Sequence, residues 1–236
     1  MLVISAHPAD FVWRAGGTIA SYIEQGHKVK IIVLSYGVRG ESADLWKREN
    51  QTYESVAATR SEESKTAANI LGVQDVEYWG YQDYPITFDS ERLYRLMLEI
   101  RKFNPDIILT HDKSDAFNPD HNDVSEAVHR CVVQARSIGI RCEGVANIKQ
   151  PAIYGFEPHQ TEISGFTPMM FIDITDSYDK KLEAMKCFKS QSHLIEYYAQ
   201  RAAMRGDHAR HFYGGGNCKY AESFSRFFPS FNKEFV

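Results

Sequence analysis

Apolar positions along this chain come in short blocks separated by segments of helical spacing. "MLVISAH" at the start, "HKVKIIVLSYG" from residue 27, "VEYWG" from residue 76 and "PDIILTH" from residue 105 are brief, apolar and partly β-branched. Such runs predict strands buried in a sheet. Residues from about Phe11 to Gln25 carry a helical pattern that stops at Gly26, and "SVAATRSEESKTAANILG" closes on Gly72. "SERLYRLMLEIRKFN" places Leu93, Leu96, Met97 and Ile100 on one helical face, and "HNDVSEAVHRCVVQARSI" predicts a further helix. The stretch "VRGESADLWKRENQ" predicts a polar loop. Strand followed by helix, four times over, predicts an α/β fold: a doubly wound, mostly parallel, Rossmann-like sheet with helices on both faces.

The second half reads differently. "AIYGFEP" and "FIDIT" predict strands and "SYDKKLEAMKCFKSQS" a helix, while the tail from Ile195 is polar, aromatic and rich in Arg, His and Gly. No Gly/Ser/Pro linker or internal repeat divides the chain. We therefore expect one domain over residues 1–236, with residues 195–236 forming a C-terminal segment over the site.

Composition narrows the class. The chain has 236 residues, enough for a sizeable core, and its 43% apolar and 25% charged residues are ordinary for a globular protein. A net charge of −4 with scattered Lys and Arg argues against a nucleic-acid partner. The apolar runs are too short to span a bilayer, and no secretory leader is recognisable at the start. Cys131, Cys142, Cys187 and Cys218 show no paired spacing and read as reduced thiols. A cytoplasmic enzyme or binder of small molecules is the expectation.

Ligands of doubly wound sheets bind outside the carboxyl ends of the strands. His7 and His111 end two predicted strands there, beside the loop beginning at Gly37. His7 and Asp10, three residues apart, can approach one divalent cation from the same turn, and His121 in "NPDH" is the natural third ligand. Two imidazoles and a carboxylate suit a catalytic metal with open positions. Asp112, Asp115, Asp120 and Asp123 surround that histidine, and one of them could orient an imidazole. A structural reading competes: each histidine could be a hydrogen-bonded strand-end residue, and Asp10, Asn122 or Asp123 a helix N-cap.

These segments resemble the PIG-L/LmbE-like superfamily of zinc-dependent N-deacetylases, which carries an AHPDD and an HPDH signature. Here they read Ala6-His7-Pro8-Ala9-Asp10 and Asn118-Pro119-Asp120-His121. The likeness extends to Arg60 and Glu63 in an Arg-x-x-Glu helix, to Asp83 in a Gly-x-x-Asp segment, and to "KLEAMKCFKSQ". It implies one divalent metal ion, with zinc expected, held by His7, Asp10 and His121, and makes a homo-oligomer plausible. In the deacetylases the Asp after His-Pro is the general base, and the first His of HPDH assists the tetrahedral intermediate. This chain has Ala9 and Asn118 there. Losing a positioned acid or base typically lowers the rate by about 10²–10⁴-fold each, so an efficient amidase is not expected.

Adding water to an activated C=C needs no amine leaving group. "SAHPADFVWRAGGTIA" and "LSYGVRGESADLW" resemble the 4-oxalomesaconate hydratase branch of the superfamily, which acts in the degradation of gallate and related aromatic acids. That resemblance implies a lyase that hydrates an unsaturated keto polycarboxylate to 4-carboxy-4-hydroxy-2-oxoadipate. Glu41 is the first candidate for proton delivery, with His111 and His208 behind it; Glu41 could instead pair with Arg39. Arginine suits a polycarboxylate, so Arg14, Arg39, Arg60 and Arg205 are candidate substrate contacts, together with Asp83, Asn118 and His211. Arg201 and Arg210 share the same tail, and Gly214–Gly216 could form a flap or a turn. The alternatives are a zinc-dependent N-deacetylase of an amino sugar or similar amide, and a metal-containing binder without turnover.

Overall fold

The computed structural model describes residues 1–142 and 144–231. Five parallel strands form the centre: β1 (Leu2–Ser5), β2 (Lys30–Ser35), β3 (Asp75–Tyr81), β4 (Ile107–His111) and β5 (Ala152–Phe156). Two more, β6 (Met170–Asp173) and β7 (Ala221–Arg226), extend one side in antiparallel fashion. Their order is β3-β2-β1-β4-β5-β7-β6. The predicted mostly parallel α/β sheet is what the chain forms.

Alternation along the central strands divides the core. Val3, Ile31, Val33 and Leu109 face one side, where α1 (Asp10–Glu24), α3 (Tyr53–Ile70) and α6 (Tyr178–Lys186) pack. Leu2, Ile4, Ile32 and Leu34 face the other, covered by α4 (Ser90–Phe103) and α5 (Pro119–Arg136). Leu96, Met97 and Ile100 are buried there, as the helical spacing predicts. The pair Gly16-Gly17 lets α1 lie close to its neighbours, because a Cβ at Gly17 would come within 2.7 Å of Ile174.

Three features differ from the expectation. The polar loop after β2 contains a short helix, α2 (Ala43–Trp46). α5 begins two residues before His121, with Pro119 supplying its first turn. The tail holds a long helix, α7 (Leu194–Phe212), as well as β7, which inserts between β5 and β6. Its pattern hid both elements because α7 buries Tyr198, Ala202, Arg205, Gly206 and Ala209, not a stripe of large aliphatics. β7 buries serines and Glu222, and Glu222 is neutralised by Lys181 at 2.6 Å. Gly214–Gly216 lies in the turn joining these elements, where the Gly215 amide donates to Ala209 O and its carbonyl accepts from Cys218 N.

β1 sits between β2 and β4, and the chain leaves it for β2 by way of α1. The ends of β1 and β4 therefore open a crevice at the point where strand order reverses. His7 and His111 stand at those two ends.

Candidate metal centre

Pro8 and Ala9 turn the chain from β1 into α1, and Asp10 is the first residue of that helix. Its Oδ2 accepts the His7 amide at 2.7 Å, and Arg14, one turn on, donates to its Oδ1 at 2.8 Å. The N-cap positions of α1 and α5 belong to Ala9 and Asn118, and neither side chain caps its helix. Asp10 is thus free of the capping role that the sequence left open.

Three donor atoms converge. His7 Nδ1 lies 3.3 Å from His121 Nε2 and 3.5 Å from Asp10 Oδ2, and His121 Nε2 lies 3.4 Å from Asp10 Oδ1. Tetrahedral bonds of about 2.0–2.1 Å put ligand atoms about 3.3–3.4 Å apart, so the donor set fits a zinc-sized cation. The far ring nitrogens reinforce this. His7 Nε2 is 3.1 Å from Asp120 Oδ2 and His121 Nδ1 is 2.9 Å from Asp115 Oδ2. A carboxylate only accepts, so each far nitrogen carries a proton, which leaves His7 Nδ1 and His121 Nε2 as the atoms that would turn toward a metal.

Charge points the same way. Burial would lower the pKa of His7, but hydrogen bonds to Asp10 and Asp120 and the charges of Glu41 and Asp10 outweigh it and hold it at about 10. A pocket that favours a protonated imidazole so strongly favours a bound cation for the same reason. Asp10, His111 and His121 also bring one donor atom each within 4.8 Å. His111 Nε2, however, already accepts the Ala6 amide at 3.0 Å, so its lone pair is taken.

That bond corrects the expectation that His111 delivers a proton. Burial and the charge of His121 push its pKa down to about 3, and its ring stacks on His121 at 3.9 Å between centroids. His111 is a neutral, packed support.

Glu41 does face the centre. Its Oε1 is 3.7 Å from His7 Nδ1 and accepts Asn118 Nδ2 at 2.9 Å, while Oε2 accepts Gln191 Nε2 at 2.8 Å. It makes no pair with Arg39. Asn118 Oδ1 is buried beside it with no partner among the described residues. Arg60 is wholly buried, held by Glu63, Ser190 and Gln191, and thereby braces Gln191. It is a support, not a substrate contact.

Other expected contacts are also occupied. The two oxygens of Asp83 accept the amides of Val38, Arg39 and Gly40, fixing the loop that carries Glu41. Arg14 is engaged by Asp10 and by Glu157 O, and Arg205 grips both oxygens of Glu157 at 2.9 and 2.6 Å. His208 contacts Arg205, and the exposed His211 pairs with Asp207. Among the described residues neither histidine touches the three ligand candidates. Arg39, exposed and 3.5 Å from Tyr84 O, keeps a role open, as does the Asn118 carbonyl oxygen.

Two site residues carried no sequence signal. Tyr84 stands 6.2 Å from His7 between ring centroids. His159, in the loop after β5, stacks on Tyr197 and lies within the fields of Arg14, Asp115 and Glu41. Burial, Arg14 and Arg201 lower its pKa to about 4. Its position past a strand end was the one available hint.

These imidazoles set a pH dependence. His111 and His159 titrate below the free value of 6.5, so the unfolded chain binds protons that the folded one refuses. Their contribution is present above pH 6.5 and is lost as pH falls toward 3–4. His7 has the opposite sign: its contribution is full below 6.5 and is lost as pH rises through about 10. Denaturant titration of metal-free protein should therefore show greatest stability near pH 6.5, and zinc should abolish the decline from there to about pH 9. Beyond that, Cys131, Tyr78 and Tyr198, whose pKa values burial raises to about 12, lower stability in either form. A monotonic profile without metal would contradict these assignments.

Residues 2–132 match the family model of GlcNAc-PI de-N-acetylase, PIG-L. The chain belongs to the PIG-L family. It is 41% identical, over 97% of its length and 89% of the relative's, to a 4-oxalmesaconate hydratase of Pseudomonas putida. The crystal structure of GalB, the 4-carboxy-2-hydroxymuconate hydratase of Pseudomonas putida, matches with a TM-score of 0.94 at 39% identity, covering 100% of this chain and 98% of that one. A probable N-acetyl-alpha-D-glucosaminyl L-malate deacetylase 2 of Bacillus anthracis is 28% identical over 81% of this chain and 80% of its own. Within this PIG-L fold, Ala9 is 2% exposed and packed into the core, so no carboxylate acts from that position. No helix is long and apolar enough to cross a membrane among the described residues.

Proposed function

We propose that this chain is a zinc-dependent hydratase that adds water to the activated C=C of an unsaturated keto polycarboxylate, 4-oxalomesaconate, giving 4-carboxy-4-hydroxy-2-oxoadipate. The observation that carries the reading is the 41% identity to a hydratase across 97% of the chain. The pocket chemistry supports it: three donor atoms for a cation remain, while positions 9 and 118 hold Ala and Asn.

His7, Asp10 and His121 would hold the metal, and Asp120 and Asp115 would keep both imidazoles in the right tautomer. A divalent cation there supplies Lewis acidity, bringing the pKa of water within its reach toward about 7. Glu41 is the proton-handling group. In the addition a C–O bond forms, the π electrons move into the conjugated carbonyl system, and the proton released by water is returned to carbon. A carboxylate 3.7 Å from His7 Nδ1, steered by Asn118 and Gln191, is placed to receive that proton and hand it on. Asn118 Oδ1 offers an acceptor for a hydroxyl beside Glu41. An amide substrate would also need its departing amine protonated, and no side chain at position 9 assists.

Metal-loaded protein should bleach the conjugated ultraviolet absorbance of 4-oxalomesaconate within minutes. A flat trace, together with acetate release from N-acetylglucosamine derivatives, would replace this reading by the deacetylase one.

A further inference from the structure

The ion pairs of the site leave a polycarboxylate short of donors. Arg14, Arg60 and Arg205 each face a carboxylate of the protein itself. What stands at the mouth is Arg39 and, beside it, Tyr84. The Tyr84 backbone adopts φ 51°, the left-handed region that a bulky side chain enters only against steric resistance. A glycine would sit there freely.

Several contacts hold the tyrosine in that conformation. Asp120 Oδ2, whose other contact is His7 Nε2, accepts the Tyr84 amide at 3.0 Å. Arg39 donates to its carbonyl at 3.5 Å. The ring lies against Gly40, where any Cβ would collide with it, so the loop carrying Glu41 is shaped around this side chain. The result is a phenol 6.2 Å from the His7 ring, 39% exposed, whose hydroxyl bonds to no protein group among the described residues. Burial and the carboxylates of Glu41, Asp120, Asp10 and Asp83 keep it protonated.

A neutral, partly exposed donor with no protein partner among the described residues, close to His7, is suited to an incoming anion. It adds a hydrogen bond without giving the protein's own carboxylates a further cation to pair with. We propose that the Tyr84 hydroxyl donates a hydrogen bond to a substrate carboxylate and makes Tyr84 a specificity-determining residue of this site. The inference rests on the hydratase reading for the identity and the charge of the substrate.

Tyr84→Phe removes one oxygen and leaves ring, backbone and packing in place. In the metal-loaded full chain it should raise KM for 4-oxalomesaconate about 10- to 100-fold, with a much smaller change in kcat. Metal content and Tm should stay at wild-type values. Calorimetric titration with tricarballylate, an unreactive tricarboxylate, should show affinity weakened by a similar factor. Equal tricarballylate affinity in the two proteins, or no binding to the wild type at all, overturns the proposal. A wild type that binds tricarballylate through Tyr84 but leaves 4-oxalomesaconate unchanged supports this residue's role and instead sinks the hydratase reading.

Discussion

His121→Ala is expected to empty the metal centre and reduce hydration on the order of 10³-fold or more. The imidazole provides one of three converging donors, and Nε2 lies within 3.4 Å of both other ligand side chains. Its loss leaves His7 and Asp10, two ligands from a single turn, with too few bonds to retain a cation against water. A catalytic metal is worth several kcal/mol of transition-state stabilisation, which corresponds to that rate loss. Asp115→Asn should be milder, because it disturbs only the orientation of His121; such outer partners typically change metal affinity about 10- to 100-fold. Elemental analysis beside steady-state rates reads both variants. Full metal occupancy in His121→Ala would mean that the ligands have been misassigned.

Glu41→Gln should lower kcat about 10²–10⁴-fold while metal content stays unchanged. The side chain keeps its length but can no longer take up a proton, and one of its two amide donors, Asn118 or Gln191, must then face another amide N–H. Metal retention is the discriminating half of the experiment. His7, Glu41 and His121 also bring donor atoms within 4.8 Å of one another, so an alternative centre would use Glu41 as a ligand in place of Asp10. If Glu41→Gln strips the metal and Asp10→Ala does not, that alternative holds and the proton-handling role fails. An unchanged kcat would remove Glu41 from the chemistry altogether.

The arginines show where reading from sequence ran out. Arg14, Arg60 and Arg205 invite the idea of anion binding, yet each is buried against a carboxylate of the same chain. An arginine in a string of letters looks the same whether it meets substrate or Glu157. Tyr84 and His159 went unnoticed for the converse reason, since aromatic and imidazole side chains are far more often packing than function. Position relative to the candidate ligands His7, Asp10 and His121, which no local pattern encodes, separates the two cases.

By itself the sequence determined the central parallel sheet and the main helices of both layers, because these rest on short-range signals; it also put His7 and Asp10 forward as ligand candidates, with His121 joined to them through the family resemblance. Buried strands are continuous apolar runs, helices repeat at 3.6 residues, and His7 and Asp10 share one turn. Tertiary structure alone decided the rest. It placed α7 and β7, whose buried faces are built from small and charged residues neutralised by distant partners. It also assigned Asp115 and Asp120 to different imidazoles, took His111 out of the proton chemistry and brought Glu41 against Asn118 and Gln191. Apart from Asp115 and His121, six residues apart, these are pairings between residues far apart in the chain, fixed only when burial forces each polar group to find a partner.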